Sequence, residues 1–280
     1  MARPAFAQSS EADLAAKETA VQAATARPAT WAARSAEFRK WLAGATDDAG
    51  KPLSAAARKG HIADQIHIID NEIERARGIT AKASQAEIIS ANCLAKWLSM
   101  NCNVPMAGML RDLDGTRILW QLQSGASEED GSGMGAMLWD ASSPNPPQLI
   151  GWTFEGVWME TPRYSAYNQL LWVSGRMAGT GDGNADILYQ RQNGKWVEIE
   201  TQSWKEDLAR RLPKGFGAWH GVDYDLVNLA AATELWRDED ANCCASGGRA
   251  NLDFEIEGSS LKLKGVSAQI GGLDKEWKDF

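Results

Sequence analysis

The sequence predicts an α+β protein in which an N-terminal α-helical hairpin, coiled-coil-like in pattern, is followed by an antiparallel β sandwich or barrel. Apolar residues in the first part of the chain recur at the spacing of a helix face. From about Val104 onward they form short β-rich runs separated by Gly, Pro, Asp and Asn. These two observations place a helical domain at 9–103 and a β domain with one short helix at 104–280.

The predicted helices have recognisable starts and stops. Ser10 precedes an acidic first turn, and Pro28 separates the first helical run from the second. Ser54 opens a long helix whose apolar seam advances in alternating steps of four and three, a coiled-coil-like period. The seam consists of Ile62, Ile66, Ile69, Ile73, Ala76, Thr80 and Ala83. It could pack on the chain's own first helices, or residues 54–90 could dock a partner and form an oligomer or a larger assembly.

The second part of the chain carries hairpin signals. Asn193-Gly194 between two apolar runs is typical of a tight β-hairpin turn, because both residues tolerate the positive φ that such turns require. Residues 252–256 alternate strictly between apolar and polar, as in a half-buried strand. Residues 261–263, after a Glu-Gly turn, are predicted to form the second strand of this hairpin. Between these hairpins, residues 203–212 predict a single short helix that ends before Pro213.

Composition and charge exclude two function classes. The chain has 280 residues, 29 Lys and Arg against 37 Asp and Glu, and a net charge of −8. Because nucleic-acid binding requires clustered basic residues and no long basic run occurs, we expect no nucleic-acid partner. We also expect no membrane span, since no apolar stretch reaches the roughly 18 residues that a spanning helix needs.

The N-terminus and the cysteines predict export to the periplasm or the exterior. Ala5-Phe6-Ala7 matches the small-x-small end of a secretory signal, so residues 1–8 are interpreted as a residual processing segment with Gln8 as the mature start. The four cysteines are an even number, which suits an oxidising compartment. Their pairing is left open among three connectivities; the four residues are Cys93, Cys102, Cys243 and Cys244.

Tryptophan is the compositional outlier, with 13 of the 23 aromatic residues. Trp120, Trp139 and Trp158 are evenly spaced, which hints at a repeated strand-turn unit. Most of the indoles are expected to fill the β core, whereas an exposed indole could stack on a sugar ring or a peptide. Trp158, Trp219 and His220 are the candidate ligand-binding residues.

One loop resembles a calcium repeat. Gly181-Asp182-Gly183-Asn184-Ala185-Asp186 precedes a predicted strand, and this order is similar to the loop of FG-GAP-type calcium repeats. The resemblance implies that Asp182, Asn184 and Asp186 are metal ligands, although Ala178 and Thr180 occupy two positions where that family has acidic residues or Asn. No other cofactor is expected.

The most distinctive string runs from Leu235 to Gly248 and contains Asp240-Ala241-Asn242-Cys243-Cys244. It resembles a segment, LWR-x-x-DANCC-x-x-GG, of uncharacterised secreted bacterial proteins, with similarity over residues 170–265. That group implies secretion and brings no known activity. The adjacent cysteines could form a metal or redox site, or a disulfide-pinned loop before the last hairpin.

Together these features predict an exported binding protein that uses a Trp-rich β domain to hold a protein or glycan partner. His61 and His67 lack the spacing of a helical metal pair, and no hydrolase, nucleotide-binding or dinucleotide-binding motif occurs. Catalytic residues are therefore not assigned. Two alternatives stay open: a cell-envelope hydrolase acting on glycans or peptides, with carboxylate pairs such as Glu155 and Glu160, and a structural subunit docking through its N-terminal helices.

Overall fold

The structure is a computed structural model that describes residues 10–143 and 146–280. The chain divides into two compact units, the first ending at Ile79 and the second comprising Thr80–Phe280. Helices precede antiparallel sheets, so the predicted α+β class is confirmed. The predicted processing segment 1–8 lies outside the described residues.

Within residues 10–79 the first unit has three helices: α1 (Glu11–Ala24), α2 (Pro28–Gly44) and α3 (Ala55–Arg77). Ser10 and Asp13 form a capping box at the start of α1, and the Ser54 hydroxyl caps α3. Pro28 is the first residue of α2, where its missing N–H costs no helical hydrogen bond.

The seam of α3 is covered within its own unit. Ile62 and Ile69 are fully buried, and Ile66 and Ile73 pack against the same apolar cluster. The other buried members of that cluster come from α1 and α2: Leu14, Val21, Trp31 and Leu42. Helix α3 ends at Arg77, so both Thr80 and Ala83 lie beyond it. Their predicted place in the seam is therefore wrong.

A buried polar group joins the helices of this unit. Glu72 of α3 is only 3% exposed. Its Oε1 accepts a hydrogen bond of 2.7 Å from the hydroxyl of Thr25, and its Oε2 lies 3.4 Å from Nη1 of Arg75. The Thr25 hydroxyl also accepts the backbone N–H of Arg27, so one carboxylate organises the turn between α1 and α2.

The second unit begins with one short helix and then forms sheets. Residues 80–99 contain α4 (Gln85–Ile88), and β1 starts at Met100. The first sheet has the order β1-β2-β3-β4. Its strands are β1 (Met100–Arg111), β2 (Arg117–Ser127), β3 (Gly131–Asp140) and β4 (Gln148–Gly156).

A central sheet and a third sheet follow. The central sheet has the order β10-β9-β7-β6, with β6 (Arg163–Ser165), β7 (Leu170–Val173), β9 (Ile187–Gln192) and β10 (Lys195–Glu198). The third sheet runs in order from β11 to β15: β11 (Phe216–Asp225), β12 (Ala230–Arg237), β13 (Gly248–Glu257), β14 (Ser260–Ile270) and β15 (Lys278–Asp279). A small pair joins β5 (Trp158–Met159) to β8 (Gly175–Arg176), and α5 spans Trp204–Arg211.

The central sheet is buried on both faces, which makes this unit a stack of three β layers. Leu171 and Val173 of β7 pack in one cluster with residues of β2 and β3. Leu170 and Trp172 of the same strand pack in another cluster, with α5 and the third sheet. Alternate residues of a strand point to opposite faces, so a strand between two layers is apolar throughout. This explains the uninterrupted run Leu170–Val173.

The even tryptophan spacing does not mark a repeat. Trp120 of β2 is opposite Leu138 of β3, and Trp139 is opposite Leu119. Because cross-strand partners share a face, Trp120 and Trp139 lie on opposite faces of the first sheet. Half of the tryptophans in strands are buried, and so are one in α2 and one in α5; the buried tryptophans are Trp31, Trp120, Trp139, Trp152, Trp172 and Trp204.

Residues 80–99 are attached to the first sheet by a buried glutamine. The amide nitrogen of Gln121, which is fully buried on β2, donates to the carbonyl oxygens of Ile88 at 3.2 Å and Asn92 at 2.9 Å. These bonds provide hydrogen-bond partners for carbonyl groups that have none within a helix or a sheet. The Cys93–Cys102 disulfide then links the same segment to β1.

Asp140 connects the first sheet to the central sheet and predicts a pH dependence. Its Oδ2 accepts the indole N–H of Trp196 at 2.8 Å. Burial alone would raise the pKa of Asp140, but hydrogen bonds from Ser142 and Trp196 outweigh burial and hold that pKa below its usual value. A lowered folded-state pKa stabilises the protein above the ordinary Asp pKa, and this stabilisation is lost as pH falls through the folded-state value.

We therefore expect Asp140→Asn to flatten the acid limb of the unfolding free energy plotted against pH. Urea unfolding followed by tryptophan fluorescence at a series of acidic pH values measures this. Asp279→Asn, at an exposed position of β15, is the control and should leave the limb unchanged. Parallel limbs for the wild type and Asp140→Asn would contradict the prediction.

Candidate functional site

The candidate site is a cavity of about 140 Å³ at one end of the third sheet. Residues of β11, β12 and β13 form its wall, and residues of β8 and the loop that follows it complete the lining. The lining combines one indole with charged and small side chains: Arg176, Asp182, Trp219, Gly221, Asp223, Ala232, Thr233, Glu234 and Arg249.

A bulge in β11 brings Trp219 to this cavity. Ala218 is opposite Leu235 of β12 and Val222 is opposite Thr233, so Trp219, His220 and Gly221 together face the single residue Glu234. Extra residues in one strand break the ladder locally and redirect side chains. Trp219 is half-buried at the cavity, and His220 in the same bulge is exposed.

The loop after β8 fits closely against the bulge. A side chain at Gly181 would lie 2.8 Å from the His220 ring, and one at Gly221 would lie 2.9 Å from the carbonyl oxygen of Asp182. Only glycine permits this approach at both positions. The Asn184 side chain completes the contact, because its oxygen accepts the N–H of Val222 at 2.8 Å and its nitrogen donates to the carbonyl of Val222.

Arg176 is the ionic centre of the site. Its Nη2 lies 2.7 Å from Oδ1 of Asp223, its Nε lies 3.6 Å from Oδ2 of Asp182, and its Nη1 donates to the Val222 carbonyl. Its side chain is 23% exposed, whereas the side chains of Asp182 and Asp223 are 55% and 78% exposed. The guanidinium therefore lies at the cavity wall with both carboxylates reaching solvent.

Two further charged residues face each other across the strands. Glu234 of β12 is the cross-strand partner of Arg249 of β13, and both line the cavity. Directly opposed strand residues have Cβ atoms about 5 Å apart on the same face. The cavity thus has acceptor and donor groups on the wall formed by the third sheet.

The loop with the adjacent cysteines holds the indole of Trp219. The indole N–H of Trp219 donates to the carbonyl oxygen of Asn242 at 3.2 Å, and the Asn242 side chain lies 3.4 Å from the Thr180 hydroxyl. Cys243 pairs with Cys244, so among the three open connectivities the structure has the one that joins neighbours in the sequence. The cystine loop, defined here as residues 237–246, therefore touches both the bulge and the loop after β8.

The predicted calcium ligands do not form an oxygen cage. Asp182 is paired with Arg176, and Asp186 accepts the N–H of Gly175 at 3.0 Å and the amide of Asn184. The side-chain oxygen of Asn184 is used by the backbone of Val222. Within residues 10–143 and 146–280, no three His, Cys, Asp or Glu side chains lie together as a metal site. The oxygens of this loop thus contact Arg176, Gly175 and Val222 beside the cavity, and the calcium assignment stays a prediction.

Of the predicted ligand-binding residues, Trp219 belongs to the cavity lining, whereas His220 and Trp158 do not. Trp219 lines the cavity, His220 lies beside it in the bulge, and Trp158 of β5 is the cross-strand partner of Arg176 in β8. Trp158 is 49% exposed. Apart from Asp182, the charged residues of the wall carry no sequence signal, because an isolated charge on a strand is the usual pattern of a solvated face.

Comparison with known proteins finds no matching family model, no matching curated protein and no matching solved structure. The geometry of the cavity is therefore the basis for any statement about function.

Proposed function

We propose that this chain is an exported binding protein that holds a glycan in the cavity at Trp219. The observation that carries the proposal is the placement of one half-buried indole beside two arginines and three carboxylates in a single concave site. Ligand sites in proteins typically combine an apolar surface with a few convergent polar groups.

The chemistry of this lining suits a sugar. A pyranose ring has an apolar face of C–H groups, which packs on an indole, and a rim of hydroxyls, which donate and accept hydrogen bonds. In the cavity Trp219 supplies the indole face, Glu234 accepts hydrogen bonds and Arg249 donates them. Because the bulge and the cystine loop fix the indole, little side-chain entropy is lost on binding.

Charge favours a neutral glycan over an acidic one. The lining carries two arginines against three carboxylates, and Arg176 is already paired with Asp182 and Asp223. An anionic sugar would meet the surplus carboxylate at close range, where like charges repel. Trp158, next to Arg176 in the β5–β8 ladder, offers a second indole for a neighbouring sugar unit.

Export is the second half of the proposal. The two disulfides fit an oxidising compartment, since thiols in the cytosol are kept reduced. No helix of the described residues is long and apolar enough to cross a membrane.

A glycan array probed with the full, oxidised chain tests the proposal. We expect neutral oligosaccharides to be retained, and we expect Trp219→Ala to weaken the affinity by about 30-fold, because removing a central aromatic anchor costs about 2 kcal/mol. Trp277→Ala is the matched control, since Trp277 is 43% exposed and does not line the cavity. Equal losses for both variants, or no retained glycan, would overturn the proposal.

The same incubation separates binding from hydrolysis. The retained oligosaccharide is recovered and its length is measured; an intact oligosaccharide supports a binding protein, whereas shortened products would replace the proposal by the cell-envelope hydrolase. The α3 seam, through which a structural subunit would dock, is covered by α1 and α2.

A further inference from the structure

The cystine loop is attached to the ligand site through one residue. Asn242, immediately before Cys243, accepts the indole N–H of Trp219 through its carbonyl oxygen. Both cysteines are exposed on the surface. A change in the backbone at Cys243 is therefore transmitted directly to the group that holds Trp219.

The ends of the cystine loop are fixed without the disulfide. Asp240 accepts the backbone N–H groups of Arg237 at 2.9 Å and Ser246 at 2.8 Å, and it also accepts the Ser246 hydroxyl. The N–H of Gly247 donates to the carbonyl of Leu235 at 2.7 Å. These bonds hold the base of the loop, so a loss of the disulfide would act on its tip, where Asn242 lies.

We propose that the Cys243–Cys244 disulfide is a redox-sensitive positioning device for Trp219. A disulfide between neighbours closes a small ring through the peptide bond that joins them, and this ring restricts the backbone next to Asn242. Opening the ring returns backbone freedom to the tip of the loop, and the indole loses its fixed acceptor. The consequence for glycan affinity rests on the proposed function; the movement of Trp219 does not.

The chemical step needs a dithiol reductant. One of its thiolates attacks a sulfur of the exposed cystine and forms a mixed disulfide, and its second thiol displaces the protein sulfur. Two electrons and two protons pass to the protein, which ends with two thiols, while the reductant ends as a disulfide. An oxidised dithiol of the same class reverses the exchange.

Nuclear magnetic resonance of ¹⁵N-tryptophan-labelled full chain tests this device without a glycan. Trp219→Phe identifies the Trp219 indole cross-peak by its absence. When a dithiol reduces Cys243–Cys244, we expect that cross-peak to shift and its N–H to exchange with solvent about fivefold faster, as for the loss of one hydrogen bond. The Trp204 indole, bound to the carbonyl of Thr201 at 2.7 Å, should not change and reports an intact fold.

Two cysteine variants make the test specific. Cys243→Ser/Cys244→Ser should show the shifted Trp219 cross-peak under oxidising conditions, and Cys93→Ser/Cys102→Ser should keep the wild-type response to the dithiol. An unchanged Trp219 cross-peak, with reduction of Cys243–Cys244 verified by alkylation and mass spectrometry, would overturn the proposal that this disulfide positions Trp219. If the cross-peak shifts in a chain that binds no glycan, the redox effect on Trp219 is supported, and only the proposed function is refuted.

Discussion

The Glu72→Ala variant is expected to lower the free energy of unfolding of the first unit by about 3 kcal/mol. The carboxylate of Glu72 is 3% exposed, bonds to the Thr25 hydroxyl and faces the guanidinium of Arg75, which is itself 11% exposed. Removing one partner of a buried ion pair leaves the other charge in a site built to neutralise it, and this costs about 3–5 kcal/mol. The variant also leaves the Thr25 hydroxyl without its acceptor.

The same helix supplies the control. Glu74 pairs with Arg77 at the same i,i+3 spacing, but those side chains are 57% and 69% exposed. Exposed pairs contribute about 0.5 kcal/mol, so Glu74→Ala should change little. Urea unfolding followed by far-UV circular dichroism reports on this unit, because α1, α2 and α3 all belong to it. Equal destabilisation by the two variants would contradict the account of Glu72.

The Gly151→Ala variant is expected to destabilise the second unit by about 3 kcal/mol. A Cβ at Gly151 of β4 would lie 1.9 Å from the hydroxyl oxygen of Tyr189 and 2.3 Å from Cζ. Tyr189 is buried on β9 in the apolar cluster between the first and central sheets, so its ring has little room to move. Overpacking of this kind typically costs about 1–3 kcal/mol, and this contact is among the tightest that a methyl group could meet here.

Gly217→Ala is the matched control for this variant. Gly217 also lies on a strand, β11, and a Cβ there would meet nothing within 4 Å. Alanine lowers the conformational entropy of the unfolded chain, so we expect Gly217→Ala to be neutral or slightly stabilising. Tryptophan fluorescence during urea unfolding measures both variants. A Gly151→Ala variant as stable as Gly217→Ala would show that the first and central sheets do not pack as described.

Local signals in the sequence predicted much of the fold. The caps at Ser10 and Ser54, the break at Pro28 and the turn at Asn193-Gly194 each depend on a few neighbouring residues, and all four have the predicted roles. The order of layers could not be predicted, because an apolar run such as Leu170–Val173 indicates burial on both faces but does not indicate which sheets cover them. The contacts that decide this come from distant strands.

The site was predicted in pieces. The loop at Asp182, the pair Trp219-His220 and the string around Cys243 were each singled out; Asp182 and Trp219 line one cavity, and Asn242 before Cys243 contacts Trp219. Their convergence depends on the bulge in β11, which has no local sequence signal beyond Gly221. Arg176 carried no signal either, since its role follows from two carboxylates that lie at different points of the chain.

The loop after β8 and the bulge in β11 form one cavity, and we propose that this cavity holds a neutral glycan. The most direct measurement is a titration of the ¹⁵N-tryptophan-labelled, oxidised chain with the oligosaccharide that the array retains most strongly. We predict that the indole cross-peak of Trp219 shifts in a saturable manner, while the cross-peak of the exposed Trp277 stays in place. A saturable shift at Trp277 with an unchanged Trp219 would contradict the account.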